Sequence, residues 1–183
     1  MNEIIQHIHH LYSQFGNQKY DELITQTEHA TQCAALAKAS EASPELTIAA
    51  LLHDVGHLLV LEQSNGSVDF STDDEHEALG ARYLATHFPS GVTAPIALHV
   101  AAKRFLCTAD DTYFDQLSIG SVRSLEKQGG RMTHQEVMRF ERSPHFSNSV
   151  QLRRWDEGAK DEHIVVDPFE SYLEMMEHIV TSK

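Results

Sequence analysis

Only two of the 183 residues are cysteine, Cys33 and Cys107. A disulfide framework is therefore not expected, and the chain reads as a reduced, cytoplasmic protein. Basic residues are also scarce, 14 Lys and Arg against 27 Asp and Glu, for a formal charge of −13. Such a surface repels a phosphate backbone, so nucleic acid is not expected as a partner. A small anion held in a local basic pocket is still allowed. No uninterrupted apolar run approaches the roughly 20 residues of a membrane span, so no membrane is expected. The opening stretch, MNEIIQHIHHLYSQF, lacks the basic start and continuous apolar core of an export signal. Repeats, low-complexity segments and linkers are absent too, and the length suits one domain over residues 1–183.

Histidine is abundant, with 13 in the chain. Most of the sequence has helical periodicity, and no set of alternating strands stands out, which predicts an all-α bundle with short connections. Helices are expected over 2–15, over 21–40, and from Ser43-Pro44-Glu45 through IAALLHDVGHLL, where Ser is an N-cap and Pro the first-turn residue. After a polar loop at 62–72, another helix is expected from Asp73 or Asp74 to just before Pro89. Further helices are expected at 92–104, as two short pieces within 110–128, and at 132–141, 147–156 and 169–180.

Six acidic or imidazole residues lie on or near apolar stripes of five of these helices: His29, His53, Asp54, His76, His99 and Asp156. Taken singly, a helical histidine such as His76 is ordinarily a surface or hydrogen-bonded residue, and Asp156 beside Trp155 is equally ordinary. The adjacent His53-Asp54 inside ALLHDVGH is different, because burial of such a pair is costly without compensation. Residues of this kind on facing helices can converge on a core site. Neutral imidazole and carboxylate suit Fe, Zn or Mn. Four histidines and two aspartates exceed what one ion with an open position needs. They fit two ions bridged by one carboxylate.

In chain order the six residues make the pattern H…HD…H…H…D, and the chain resembles the HD-domain superfamily. Most members of that superfamily are metal-dependent phosphohydrolases and a minority are oxygenases. The stretches TEHATQCAALA, AALLHDVGHLL, HEALGARYL, LHVAAKRFL, SLEKQGGRM and RRWDEGAK run through nearly the whole chain. They narrow the resemblance to the mixed-valent di-iron oxygenases of phosphonate catabolism. The HD pair alone is a weak sign of this group; LHVAAKR, KQGG and RRWDEGAK in that order are a strong one.

The resemblance implies an HD-type helical bundle with a core two-metal site, two Fe ions as an Fe(II)/Fe(III) pair, and O2 as cosubstrate. The implied reaction cleaves the C–P bond of a 1-hydroxyphosphonate carrying a 2-amino or 2-trimethylammonio group. It releases phosphate with glycine or glycine betaine. An upstream 2-oxoglutarate-dependent hydroxylase is implied as a pathway neighbour. The expected ligands are His29, His53, Asp54 and Asp156 for one iron, with His76 and His99 for the other and Asp54 bridging, since a carboxylate has two oxygens to share.

A phosphonate needs positive charge and hydrogen-bond donors. His57 lies four after His53, Lys103 four after His99, and Arg153 three before Asp156, so each is expected to share a helix face with a ligand. Ser121, Ser124 and Gln128 form a polar stripe at helical spacing. By resemblance, His57, Lys103, Ser121, Ser124, Gln128 and Arg153 match the phosphonate-binding positions, with His57 and Lys103 close to the reacting centre. Glu22, seven before His29, matches a glutamate that contacts the substrate ammonium. Tyr20 resembles a tyrosine that caps one iron before substrate arrives. The competing readings are a two-metal phosphohydrolase acting on a phosphoester or nucleotide and a metal-binding regulatory module. Near the motifs only Tyr113 and Phe114 could stack on a base.

Overall fold

A computed structural model describes residues 2–19, 23–66 and 75–180. These residues fold as helices joined by short turns: α1 (Glu3–Phe15), α2 (Gln26–Ala39), α3 (Pro44–Leu52), α4 (Val55–Gln63), α5 (His76–Leu84), α6 (Ser90–Ala109), α7 (Asp111–Asp115), α8 (Ile119–Lys127), α9 (His134–Glu141), α10 (Phe146–Gly158) and α11 (Leu173–Ile179). A 3-10 turn over Phe169–Tyr172 leads into α11. No strand occurs among the described residues, so the all-α expectation holds.

Polar side chains set several helix starts by satisfying amides that have no partner within the helix. Asn2 caps α1, and Ser43 caps α3 with Pro44 in the first turn, as the sequence suggests. Thr25 and Glu28 form a reciprocal capping box that starts α2 at Gln26. The expectation of a helix from residue 21 is thereby corrected, and Tyr20, Asp21 and Glu22 lie outside the described residues. Asp73 and Asp74, expected to start α5, also lie outside them.

A second correction concerns the expected single helix after Ser43. It breaks at His53-Asp54, where Asp54 has φ −101° and ψ 12° and serves as the N-terminal flank of α4. The 44–63 stretch is apolar and long enough to cross a membrane, but 78% of its apolar window is buried inside the fold. It is core. Helix α6 runs further than expected, through Pro95 and on to Ala109.

Helix α6 is the central post. It packs on α3, α5 and α10, while α2 packs on α3 and α10. The main core joins Ile5, Ile8 and Leu11 of α1 to Ile48, Leu51 and Leu52 of α3, Leu58 and Leu61 of α4, and Ile96 of α6. Each such side chain contributes at most about 1.5–3 kcal/mol on burial. Tyr12, Phe169, Tyr172 and Met176 close this core from the chain's two ends. A separate aromatic cluster of Phe105, Phe140 and Phe146 fixes α9 and α10 against α6. The result places α2, α3, α5, α6 and α10 around one interior volume.

Candidate metal centre

His29, His53, Asp54, His76, His99 and Asp156 all point into that volume, and all are buried. Their atoms fall into two groups. In the first, His29 Nε2 lies 3.2 Å from His53 Nε2, 3.3 Å from Asp156 Oδ1 and 3.7 Å from Asp54 Oδ2. His53 Nε2 lies 3.4 Å from Asp54 Oδ2 and 3.8 Å from Asp156 Oδ1. In the second, His76 Nε2 lies 3.2 Å from His99 Nε2 and 3.3 Å from Asp54 Oδ1, with His99 Nε2 3.7 Å from that oxygen. Asp54 therefore turns one carboxylate oxygen to each group.

The outer ring nitrogens fix the tautomers. His29 Nδ1 lies 2.8 Å from the Ala159 carbonyl, His53 Nδ1 2.8 Å from that of Ala50, and His99 Nδ1 2.8 Å from that of Ile96. A carbonyl only accepts, so each Nδ1 carries the proton and donates it. Each ring thereby aims its Nε2 inward. Burial would lower the His53 imidazole, but Asp54 and Asp156 outweigh it and raise it; bound to a metal, the ring would be neutral. Burial first, then the neighbouring His76 and His53, pushes His99 well below the ordinary imidazole range, so it is neutral at pH 7. Burial alone would raise Asp54, but His53, His76 and His57 outweigh it and hold the carboxyl well below its usual range. Asp156 is held down the same way, against burial, by Arg153, His29 and His53. Imidazole nitrogens thus face one another and ionised carboxylates at 3.2–3.8 Å, an arrangement that positive charge between them, a metal ion or a proton, would satisfy. Two donors bound to one ion at about 2.1 Å, at angles from square to tetrahedral, lie about 3.0–3.4 Å apart. The shorter separations here match that range, and the donor set fits metal.

Local backbone features aim these side chains. The capping box of α2 lies four residues before His29. The break between α3 and α4 frees Asp54 from helical geometry. Gly56 lets α5 approach closely, since a Cβ there would stand 2.0 Å from the His76 carbonyl oxygen. His53 and His99 each bond a carbonyl three residues back in their own helix, which locks both rings.

His57 and Lys103 also fall beside the centre. The His57 ring stacks on His76 with centroids 4.0 Å apart. Lys103 is buried and donates to Ser124 Oγ at 2.8 Å. Burial, then Arg153, brings its ammonium down to about 8. Arg153 is buried and donates from Nε to Tyr113 Oη at 2.7 Å, from Nη1 to Asp156 Oδ2, and from Nη2 to Ser121 Oγ and Glu157. The two serines are bonded within the protein as well. Ser121 donates its only hydroxyl proton to Glu157 Oε2 at 2.7 Å, and Ser124 donates its own to the Ser121 carbonyl at 3.1 Å. Both also accept from the cations, Ser124 from Lys103 and Ser121 from Arg153 and Lys160. Gln128 ends α8, and its side-chain oxygen is buried without a partner among the described residues. Tyr20 and Glu22, expected at this site, lie outside the described residues.

Several neighbours escaped the sequence reading. The Cys33 thiol lies 3.8 Å from His29 Nε2 and close enough to His53 to complete a possible donor set. Burial, Asp156 and Asp54 raise it, keeping it protonated. The four-residue spacing from His29 could have flagged it. Lys160 donates to Ser118 Oγ at 2.9 Å, Ser121 Oγ at 3.1 Å and Glu157 Oε1 at 2.9 Å. Lys160 stands four after Asp156 and Glu157 one after it, both inside RRWDEGAK. Tyr113 is buried with its hydroxyl on Arg153, so it serves the cation cluster and is not an exposed stacking surface.

Comparison with known proteins places this centre in context. No family model matches the chain. It is 47% identical over 162 residues to a hydroxymethylphosphonate dioxygenase of Gimesia maris, covering 88% of this chain and 81% of that protein. It is 35% identical over 178 residues to a [1-hydroxy-2-(trimethylamino)ethyl]phosphonate dioxygenase (glycine-betaine-forming) of Leisingera caerulea, covering 97% of this chain and 90% of that protein. An uncharacterized protein of Acanthamoeba polyphaga mimivirus is 33% identical over 181 residues, covering 96% of this chain and 83% of that one.

Proposed function

The chain belongs to the family of phosphonate dioxygenases, and from that membership we propose that it is an oxygenase that cleaves the C–P bond of a 1-hydroxyphosphonate with O2. The observation that carries the reading is the pair of buried His/Asp groups sharing Asp54, with Lys103 and Arg153 beside them. One iron would be held by His29, His53, Asp54 and Asp156, the other by His76, His99 and Asp54. A bound iron pair would supply the redox chemistry with O2.

The protein's own residues bind and orient. Lys103 presents an ammonium, and Arg153 a guanidinium steadied at three of its nitrogens, toward the phosphonate. His57, stacked on His76, would add a ring N–H donor. Burial of the surrounding helices keeps water from the reacting carbon. Positioning is the protein's main task, because the C1 hydrogen must meet the oxidant.

The relative at 47% identity is named for a one-carbon substrate, so hydroxymethylphosphonate is the first compound to test. It would yield formate and phosphate, which takes up both oxygen atoms of O2 and leaves no other oxidant needed. A substrate with a cationic group at C2 is the second reading, favoured by the trimethylamino relative and by Glu22 in the sequence. It would give glycine or glycine betaine. A cytoplasmic location is proposed on the two unpaired thiols, Cys33 and Cys107.

The test is phosphate and carboxylate release by iron-loaded protein from both substrates, in air and under strict anaerobiosis. Release in air alone supports the oxygenase. Equal release without O2 refutes it in favour of the phosphohydrolase.

A further inference from the structure

Glu157 follows Asp156 directly and sits on the far nitrogen of Arg153. The guanidinium turns Nη1 to Asp156, at the candidate metal centre, and Nη2 to Glu157. The Glu157 carboxylate gathers three further donors: Ser121 Oγ at 2.7 Å, Lys160 Nζ at 2.9 Å and the Ser118 backbone amide at 3.0 Å. Ser118 is the N-cap of α8, so Glu157 ties the start of that helix to α10. Helix α8 also carries Ser124, the partner of the Lys103 ammonium.

These contacts form one chain of constraints. With Nε held by Tyr113 and Nη2 by Glu157, the guanidinium plane cannot turn away from the metal side. With Ser121 held, α8 keeps Ser124 against Lys103. The hydroxyl of Ser121 spends its proton on Glu157 and accepts from Arg153 at 3.2 Å and Lys160 at 3.1 Å. A neutral amide could not replace this carboxylate, because one oxygen cannot serve four donors and its NH2 would face cations.

We infer that Glu157 is a positioning residue for the substrate's anionic group: it fixes Arg153 from behind and, through α8, Lys103. It touches neither metal nor substrate. The inference rests on the function proposed above, but the anion pocket can be read without turnover.

The test uses the iron-loaded full chain. Glu157→Gln keeps the shape and removes the charge. KM for hydroxymethylphosphonate is expected to rise about tenfold, with kcat changed by less than about threefold and iron content unchanged. Affinity for inorganic phosphate, measured by calorimetry, is expected to fall in parallel. Glu157→Asp restores the charge at a shorter reach, and its phosphate affinity is expected between the two. Should the Gln variant not fold, the Asp variant alone decides. Unchanged phosphate affinity overturns the inference. Tighter phosphate binding also overturns it, since the carboxylate would then be a competitor for the site. Loss of iron in step with activity overturns it as well, since Glu157 would then act through Asp156. Wild-type protein that releases no phosphate in air refutes the oxygenase reading, while the phosphate-binding comparison still decides the role of Glu157.

Discussion

Gly56→Ala tests the geometry of the second metal position with one methyl group. A Cβ at Gly56 would stand 2.0 Å from the His76 carbonyl oxygen, 2.7 Å from its carbonyl carbon and 2.9 Å from its Cα. Ordinary contact begins at 3.4 Å, so the first turn of α5 must withdraw by about 1.4 Å. No flexible side chain is there to yield, because every one of those atoms is backbone. His76 begins α5 and moves with it, away from His99 Nε2 at 3.2 Å and Asp54 Oδ1 at 3.3 Å. Metal sites tolerate about 0.2 Å, so the position formed by His76, His99 and Asp54 should empty. The position formed by His29, His53, Asp54 and Asp156 lies on other helices and should keep its metal. The strain should also cost about 1–3 kcal/mol of stability. The assay is iron per chain by elemental analysis, with phosphate release in air. Iron is expected to fall from two ions toward one, and release to be lost. Gly120→Ala is the control, since a Cβ there meets nothing within 4 Å. Full iron and full activity in Gly56→Ala would mean that the close approach of α5 does not set the second metal position.

Other outcomes follow from the same contacts. His76→Ala should remove one iron and the activity while leaving His29, His53 and Asp156 occupied; elemental analysis and phosphate assay check both. Chelation should lower Tm, because lone pairs 3.2 Å apart lose their cation, and added iron should restore it by binding the folded state. Lys103 is brought down to about 8 from 10.5 by burial and Arg153. Its charged form is therefore disfavoured by folding, so stability contributed through this group rises as pH climbs from about 8 toward 10.5. Denaturation across that window in wild type and Lys103→Met should show the rise only in wild type. The same ammonium binds the anion, so KM should increase above pH about 8. Thr25→Ala removes half of the capping box that starts α2 and should cost about 1 kcal/mol by urea denaturation.

The convergence of these six residues was legible because burying His53-Asp54 in an apolar run has few explanations, and the other four residues recur on similar stripes. The partition of Asp54 between two groups was also expected from its two oxygens, and the distances match it. The break at Asp54 was not legible. The largely apolar stretch from Ile48 to Leu61 has the periodicity of one buried helix, yet it breaks at Asp54, whose two oxygens face His29 and His53 on one side and His76 and His99 on the other. The late start of α2 has a similar origin, since Thr25-Glu28 capping competes with the helix formers before it. Glu157 and Lys160 stayed hidden for another reason. Their significance depends on α8 docking at the end of α10, and Lys160 lies past that helix end. Spacing shows which residues share a face. It does not show which partners a hydroxyl already has, such as Glu157 at Ser121 and the Ser121 carbonyl at Ser124.

As an oxygenase, the protein consumes O2 in breaking a C–P bond. Simultaneous measurement of O2 uptake and phosphate release by iron-loaded protein with hydroxymethylphosphonate tests it most directly. One O2 should disappear per phosphate formed, with formate in equal amount. Phosphate appearing with no O2 uptake would mean that the bond is broken by hydrolysis.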